Sequence, residues 1–323
     1  MTVTKLIDTL LLLALPASGK SEVRTYMASL TPQQCREELG LGPTVQLDDY
    51  PYVHLMRRID EELAALSQPT IFFAAQDKPF FDGTNWGTLI QLVNEDYDDL
   101  HSGAIADPPS AAAHLLDRLA AAQAKVGAKP VVAELSKEAR AGLVERLEKE
   151  CAAQLAEKHA NYPDTLEGKT IVIEFARGGP DGSSMPLPAP YGYAYSLSTL
   201  SETILSRSAV LYVWVTPEES RRKNDERARP DEQGSILHHG VPIDVMLGDY
   251  GCDDMAYLLE QSGKDDTIVI ERDGKRFELK VGRFDNRVDL TSFVRDEPEQ
   301  WAEDDKAKLH AGLSSACLAL AAS

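Results

Sequence analysis

Two spacings of apolar residues alternate along this chain. Residues 10–15 form an unbroken apolar run, Leu10-Leu-Leu-Leu-Ala-Leu15, as a strand buried on both faces of a parallel sheet would show. Shorter runs at 44–47, 69–75, 169–175 and 209–215 also read as strands. Segments 267–272 and 275–281 alternate around Asp273-Gly274 and read as a hairpin. Between the strands the spacing lengthens to three or four residues, which predicts helices over 22–30, 53–66, 86–100, 108–128, 136–159 and 197–207. A helix starting at Thr216-Pro217 follows, and 298–323 reads as one or two more. Strands alternating with helices predict an α/β fold with a mostly parallel central sheet. The helical stretch 87–160 is expected as an insertion or lid outside that sheet. The expected division is a core over 1–232 and a C-terminal extension over 233–323, its hairpin and helices packed on the core. The 178–195 loop, rich in Gly, Pro and Tyr, is too long for a plain connector and is expected to be ordered and to cover a substrate.

Composition narrows the function classes. A chain of 323 residues has ample length for a large core. Its net charge of -19 disfavours a partner that is a long nucleic acid, since phosphate backbones need a basic face. Cys35, Cys151, Cys252 and Cys317 lie far apart, so neither a zinc site nor a disulfide framework is expected. His238 and His239 are adjacent and lack the spacing of a zinc pair; they read as loop or lid residues. The 10–15 run is too short to span a membrane. Lys5, this run and the small residues after Pro16 also fit a secretory leader, but Asp8 interrupts the apolar stretch, and a cytoplasmic protein is expected.

The candidate chemistry begins where the first strand ends. Ala14-Leu-Pro-Ala-Ser-Gly-Lys-Ser21 follows the order strand, tight loop, helix N-terminus. Such a loop turns successive backbone N–H groups toward phosphates, with the helix dipole behind them. Its lysine reaches the β/γ-phosphates and its serine ligates Mg²⁺; Ala14 stands where the usual pattern has its first glycine. Pro16, Ala17, Ser18, Gly19, Lys20, Ser21 and Glu22 are therefore the expected nucleotide-binding residues. Asp48 and Asp49 close the second strand, where open α/β sheets place ligand chemistry. Glu174 closes the third with Arg177 just beyond, either as a Mg²⁺-organising carboxylate or as the cap of the next element. Arg221, Arg222, Lys223, Arg227 and Arg229 form the strongest positive cluster. They are placed for phosphates, with helical pairing to Glu218 or Glu226 as the competing role. The charged residues of 145–150 read as a solvated helix face.

Three stretches, Leu15-Pro-Ala-Ser-Gly-Lys-Ser21, Leu47-Asp-Asp-Tyr50 and the basic run 221–229, together resemble P-loop kinases of the polynucleotide-kinase, zeta-toxin and adenylylsulfate-kinase sort. The resemblance implies a P-loop NTPase three-layer sandwich. It also implies transfer of the γ-phosphoryl group of ATP, with Mg²⁺, to a hydroxyl of a small molecule, nucleoside or nucleotide. By position it implies that Lys20 and Ser21 bind phosphates and Mg²⁺, with Glu174 or Asp48 as further metal ligands. Asp49, or failing it Asp48, is the implied general base, and Arg221, Arg222, Arg227 and Arg229 include lid arginines. Glu174 with Arg177 is similar to the carboxylate–arginine pair at the end of the third strand of nucleoside and nucleotide kinases, which makes Glu174 a rival base. Segments 87–160, 178–195 and 235–295 lie outside the resemblance. Two other classes fit the loop: an NTPase that drives a partner's conformational change, and a nucleotide-binding protein without catalysis.

Overall fold

The computed structural model describes residues 6–227 and 240–321, with the side chains of Arg227 and Ala321 outside that description. Six strands build one sheet: β1 (Thr9–Leu13), β2 (Thr44–Asp48), β3 (Thr170–Phe175), β4 (Ser208–Trp214), β5 (Thr267–Arg272) and β6 (Lys275–Asp285). Their order is β2-β3-β1-β4-β6-β5, parallel throughout except for the edge strand β5. The hairpin at Asp273-Gly274, with φ of 50° and 76°, is thus the outer edge of the central sheet. Twelve α-helices are described: α1 (Lys20–Ser29), α2 (Pro32–Gln34), α3 (Tyr50–Ala65), α4 (Asn85–Ser102), α5 (Ala111–Val126), α6 (Lys137–Ala160), α7 (Gly192–Thr199), α8 (Glu202–Leu205), α9 (Pro217–Arg227), α10 (Ile243–Asp249), α11 (Met255–Ser262) and α12 (Glu303–Ala321).

The sheet is the middle of three layers. Leu10 and Leu12 of β1, with Val172 and Leu211, face α1 and α12 through Val23, Met27, Leu309 and Leu313. Leu11 and Leu13 point the other way, with Ile171 and Ile173, onto α4, α7 and α11 through Ile90, Val93, Leu197 and Met255. Every residue of β1 is buried, which is why the run is apolar without alternation. Each of its leucines contributes about 1.5–3 kcal/mol by that burial, so the run anchors the sheet's centre. A separate cluster joins α3, α5 and α6 through Leu55, Ile59, Leu115, Leu119, Leu143 and Leu147. This helical body reaches Leu15 and Val215, just past the C-terminal ends of β1 and β4.

Two expectations need correction. Residues 69–75 do not form a strand of the sheet. The Asp60 carboxylate accepts the N–H groups of Ile71 (2.7 Å), Phe72 (3.0 Å) and Phe73 (2.7 Å), which takes the donors a ladder would need. What remains is a single bridge, Phe73 to Phe80. The helix expected over 197–207 is two helices, α7 and α8, broken at Leu200, whose backbone is extended. α7 starts at Gly192, inside the ordered tyrosine loop, because Asp254 accepts the N–H groups of Tyr193 (2.6 Å) and Ala194 (3.0 Å). That cap comes from a distant part of the chain, so no local capping signal precedes the helix. Among the described residues, no helix is long and apolar enough to cross a membrane.

Candidate active site

The 14–19 loop carries β1 into α1 with positive φ at Ala17 (54°) and Gly19 (100°). A Cβ on Gly19 would overlap Thr291 Oγ1 and lie 2.7 Å from Asn286 Nδ2, so glycine serves both conformation and space. Three side chains tie down the loop's carbonyls. Ser18 Oγ donates to Leu15 O (2.5 Å), Ser220 Oγ of α9 to Pro16 O (2.7 Å), and Asn286 Nδ2 to Ser18 O (2.8 Å). In a trans peptide the next N–H points opposite to its carbonyl, so the Ala17 and Gly19 N–H groups point away from these partners. Gly19 is the N-cap of α1 and makes no side-chain cap, and the positive end of the helix dipole sits at this loop. Lys20 is buried, its Nζ donating to Ala14 O at 3.3 Å and Leu15 O at 3.5 Å. Glu22 Oε1 is 2.7 Å from Arg295 Nε, which fastens the start of α1 to the 292–295 turn.

The acidic strand ends come together beside this loop. Asp48 and Glu174 are register partners on β2 and β3. Arg24 of α1 lies between them, 2.7 Å from Glu174 Oε2 and 3.6 Å from Asp48 Oδ2. Burial, reinforced by Glu174 and Asp49, pushes the Asp48 carboxyl up to about 7 against the opposing pull of the Tyr50 N–H and Arg24. Asp49 is deeper, and its Oδ2 stands 2.7 Å from Arg177 NH1. Burial raises its pKa above the ordinary carboxylate range, Arg177 and Lys20 pull it down, and Glu174 raises it further. Arg177 is 2% exposed. Its Nε donates to Ser196 Oγ (2.9 Å), and its guanidinium lies over the Trp86 ring at 4.7 Å and the Phe175 ring at 5.0 Å. It orients Asp49 from behind.

A cavity of about 760 Å³ joins these groups. Residues 16–22, Asp48, Asp49 and Glu174 line one end, and it continues between α3, α5, α6 and α10. That volume suits a small organic ligand and lies at the C-terminal edge of the parallel strands. Among the described residues, no three His, Cys, Asp or Glu side chains gather as a metal-binding group. Glu174 and Asp48, expected as Mg²⁺ ligands, hold Arg24 between them. Ser21, in the first turn of α1 on the cavity wall, does fit a Mg²⁺ ion carried in by phosphates.

The described members of the basic cluster have different surroundings. Arg222 pairs along the helix with Glu219 (2.6 Å) and with Glu226 and is half exposed, the competing i,i+3/i+4 arrangement. Lys223 is fully buried on Asp289 (2.9 Å) and serves packing. Arg221 reaches Asp181 (3.6 Å) in the 178–195 loop, and its NH1 is buried without a hydrogen-bond partner. The Arg227 side chain, Arg229, His238 and His239 lie outside the described residues. Sequence reasoning missed Arg24, Ser220, Asn286, Thr291 and Trp86. Of these, Asn286 had a usable signal, as the polar residue just past the C-terminal end of a strand.

Comparison with protein-family models and with curated proteins returns no match for this chain.

Proposed function

We propose that this protein is a P-loop kinase of the cytoplasm that transfers the γ-phosphoryl group of ATP to a hydroxyl of a small molecule, nucleoside or nucleotide. The observation that supports this most is the opening of the Lys20 loop and of Asp49, which Arg177 holds from behind, onto one cavity at the sheet's C-terminal edge. Phosphoryl transfer asks for positioning and charge neutralisation, and these residues supply both. The N–H groups of the loop and of α1 receive the phosphates, and Lys20 moves from the Ala14 and Leu15 carbonyls onto them. Ser21 would hold a Mg²⁺ ion, which when bound would supply further charge neutralisation. Asp49 accepts the acceptor's hydroxyl proton while Arg177 holds its carboxylate in place. Arg221 remains the lid cation of this reading.

The test is incubation of purified protein with γ-labelled ATP and a pooled metabolite extract. A labelled small molecule is expected. Label released only as phosphate, at a rate indifferent to the extract, would favour the NTPase reading, and no ATP binding would exclude both.

The charge cluster also sets a pH dependence. Glu174 raises the pKa of both Asp48 and Asp49, so removing its charge lowers both. A base that must be ionised then works at lower pH. Glu174→Gln is therefore expected to move the acid limb of the kcat/KM profile downward. An upward shift would count against Asp49 as the ionised base.

A further inference from the structure

Part of the cavity is lined by groups that the proposed transfer does not use. Phe73 stacks on Phe80 with ring centroids 4.4 Å apart, Phe80 meets Trp86 edge-on at 5.0 Å, and Trp86 meets Tyr250 at 5.6 Å. All four line the cavity that holds Asp49, and three separate stretches of chain bring them there. Asp249, the last residue of α10, lines the same wall and is 4% exposed. Burial pushes its carboxyl up to about 7 against Trp86, Arg57 and Arg177. At neutral pH it can therefore accept a hydrogen bond or donate one.

Among the described residues, Arg24, Arg57, Arg118 and Lys158 on this wall are already engaged. Arg24 holds Glu174. Arg57 donates to the carbonyls of Gln76 (2.7 Å) and Lys78 (3.3 Å). Arg118 pairs with Asp96 (2.7 Å) and Glu95 (3.1 Å), and Lys158 with Asp96 and Asp99, both at 2.7 Å. Burial, with Arg118 and Lys158 adding, holds His114 below its ordinary pKa, so it is neutral at pH 7. A phosphorylated acceptor would lose its hydration without gaining a new charge partner from these groups. A neutral one incurs no such penalty.

We propose that the acceptor is an uncharged alcohol carrying a planar heteroaromatic ring, of the nucleoside class, its ring against Phe80, Trp86 and Tyr250 and its ring edge bonded by Asp249. This rests on the phosphotransferase reading. The placement suits it: Trp86, Asp249 and the proposed base Asp49 all line one cavity, so a ring held at the first two can carry its hydroxyl toward the third. The aromatic wall supplies stacking and the carboxyl selects hydrogen-bonding edges.

The test is calorimetric titration of the full chain with adenosine, cytidine, guanosine and uridine. Glucose, glycerol and the matching nucleoside 5′-monophosphates serve as comparisons. A non-hydrolysable ATP analogue is kept saturating so that only the acceptor end is read, and its own affinity is measured first. At least one nucleoside is expected to bind and to accept label from ATP, with its monophosphate at least about tenfold weaker and the polyols silent. Asp249→Ala should weaken that nucleoside at least about tenfold with analogue affinity unchanged, and Asp249→Asn, which keeps the shape, should alter the order of preference among the bases. The proposal is overturned if the analogue binds but no nucleoside does, if a monophosphate binds more tightly, or if both Asp249 variants behave as the unmodified protein. Failure of the analogue itself to bind overturns the phosphotransferase reading instead.

Discussion

Lys20→Ala is expected to lower phosphoryl transfer by roughly 10³-fold or more, since it removes a charge aimed at the migrating group. Affinity for ATP should fall as well. The fold should persist, because the hydrogen bonds to Ala14 O and Leu15 O are long, at 3.3 and 3.5 Å, and fall at or below the low end of the about 1.5–3 kcal/mol that a bond to a charged group contributes. Turnover with labelled ATP, equilibrium ATP binding and a thermal melt together check this. A variant that folds, binds ATP and turns over as before would remove the basis of the kinase reading, because Lys20 is the residue in the loop that supplies a full positive charge.

Asp49→Asn should act on the other half of the reaction. Loss of a general base lowers kcat by about 10²–10⁴-fold. The affinity for ATP should change little, because Asp49 lies on the acceptor side of the loop in the proposed arrangement. The split between kcat and ATP affinity separates this variant from Lys20→Ala. Stability should fall too, since the substitution leaves Arg177, which is 2% exposed, without its carboxylate. Breaking a buried pair costs about 3–5 kcal/mol, and asparagine, which still offers Arg177 an oxygen, should fall near the lower end. If Asp49→Asn keeps its kcat while Glu174→Gln loses it, the base is Glu174.

Much of this arrangement could be read in the sequence. The Leu10–Leu13 run reads as a central strand because burial on both faces leaves no position for a polar residue. Gly19, Lys20 and Ser21 read as a phosphate loop because the backbone conformation and the helix start are local demands. Asp48, Asp49 and Glu174 fall at strand ends for the same reason, and the parallel register then carries Asp48 beside Glu174.

The errors share a cause. Residues 69–75 have strand composition, yet the Asp60 carboxylate from α3 takes their N–H groups. α7 begins where a residue from the far side of a strand, Asp254, caps it. Arg222 sits in a basic run, but its helix turns it toward Glu219 and Glu226. Each outcome depends on a partner or a direction that residue type and spacing do not specify.

The central strand, the loop and the acidic strand ends thus follow from periodicity and local backbone chemistry, which neighbouring residues impose on one another. The identity of each carboxylate's cation is a different matter. Arg24 for Glu174 and Arg177 for Asp49 arise where segments 150 and 128 residues apart in number meet. So does the aromatic wall of Phe80, Trp86 and Tyr250 behind them. Electrostatic partnership acts through space and falls off within a few ångströms, so it is decided by which surfaces the folded layers bring into contact.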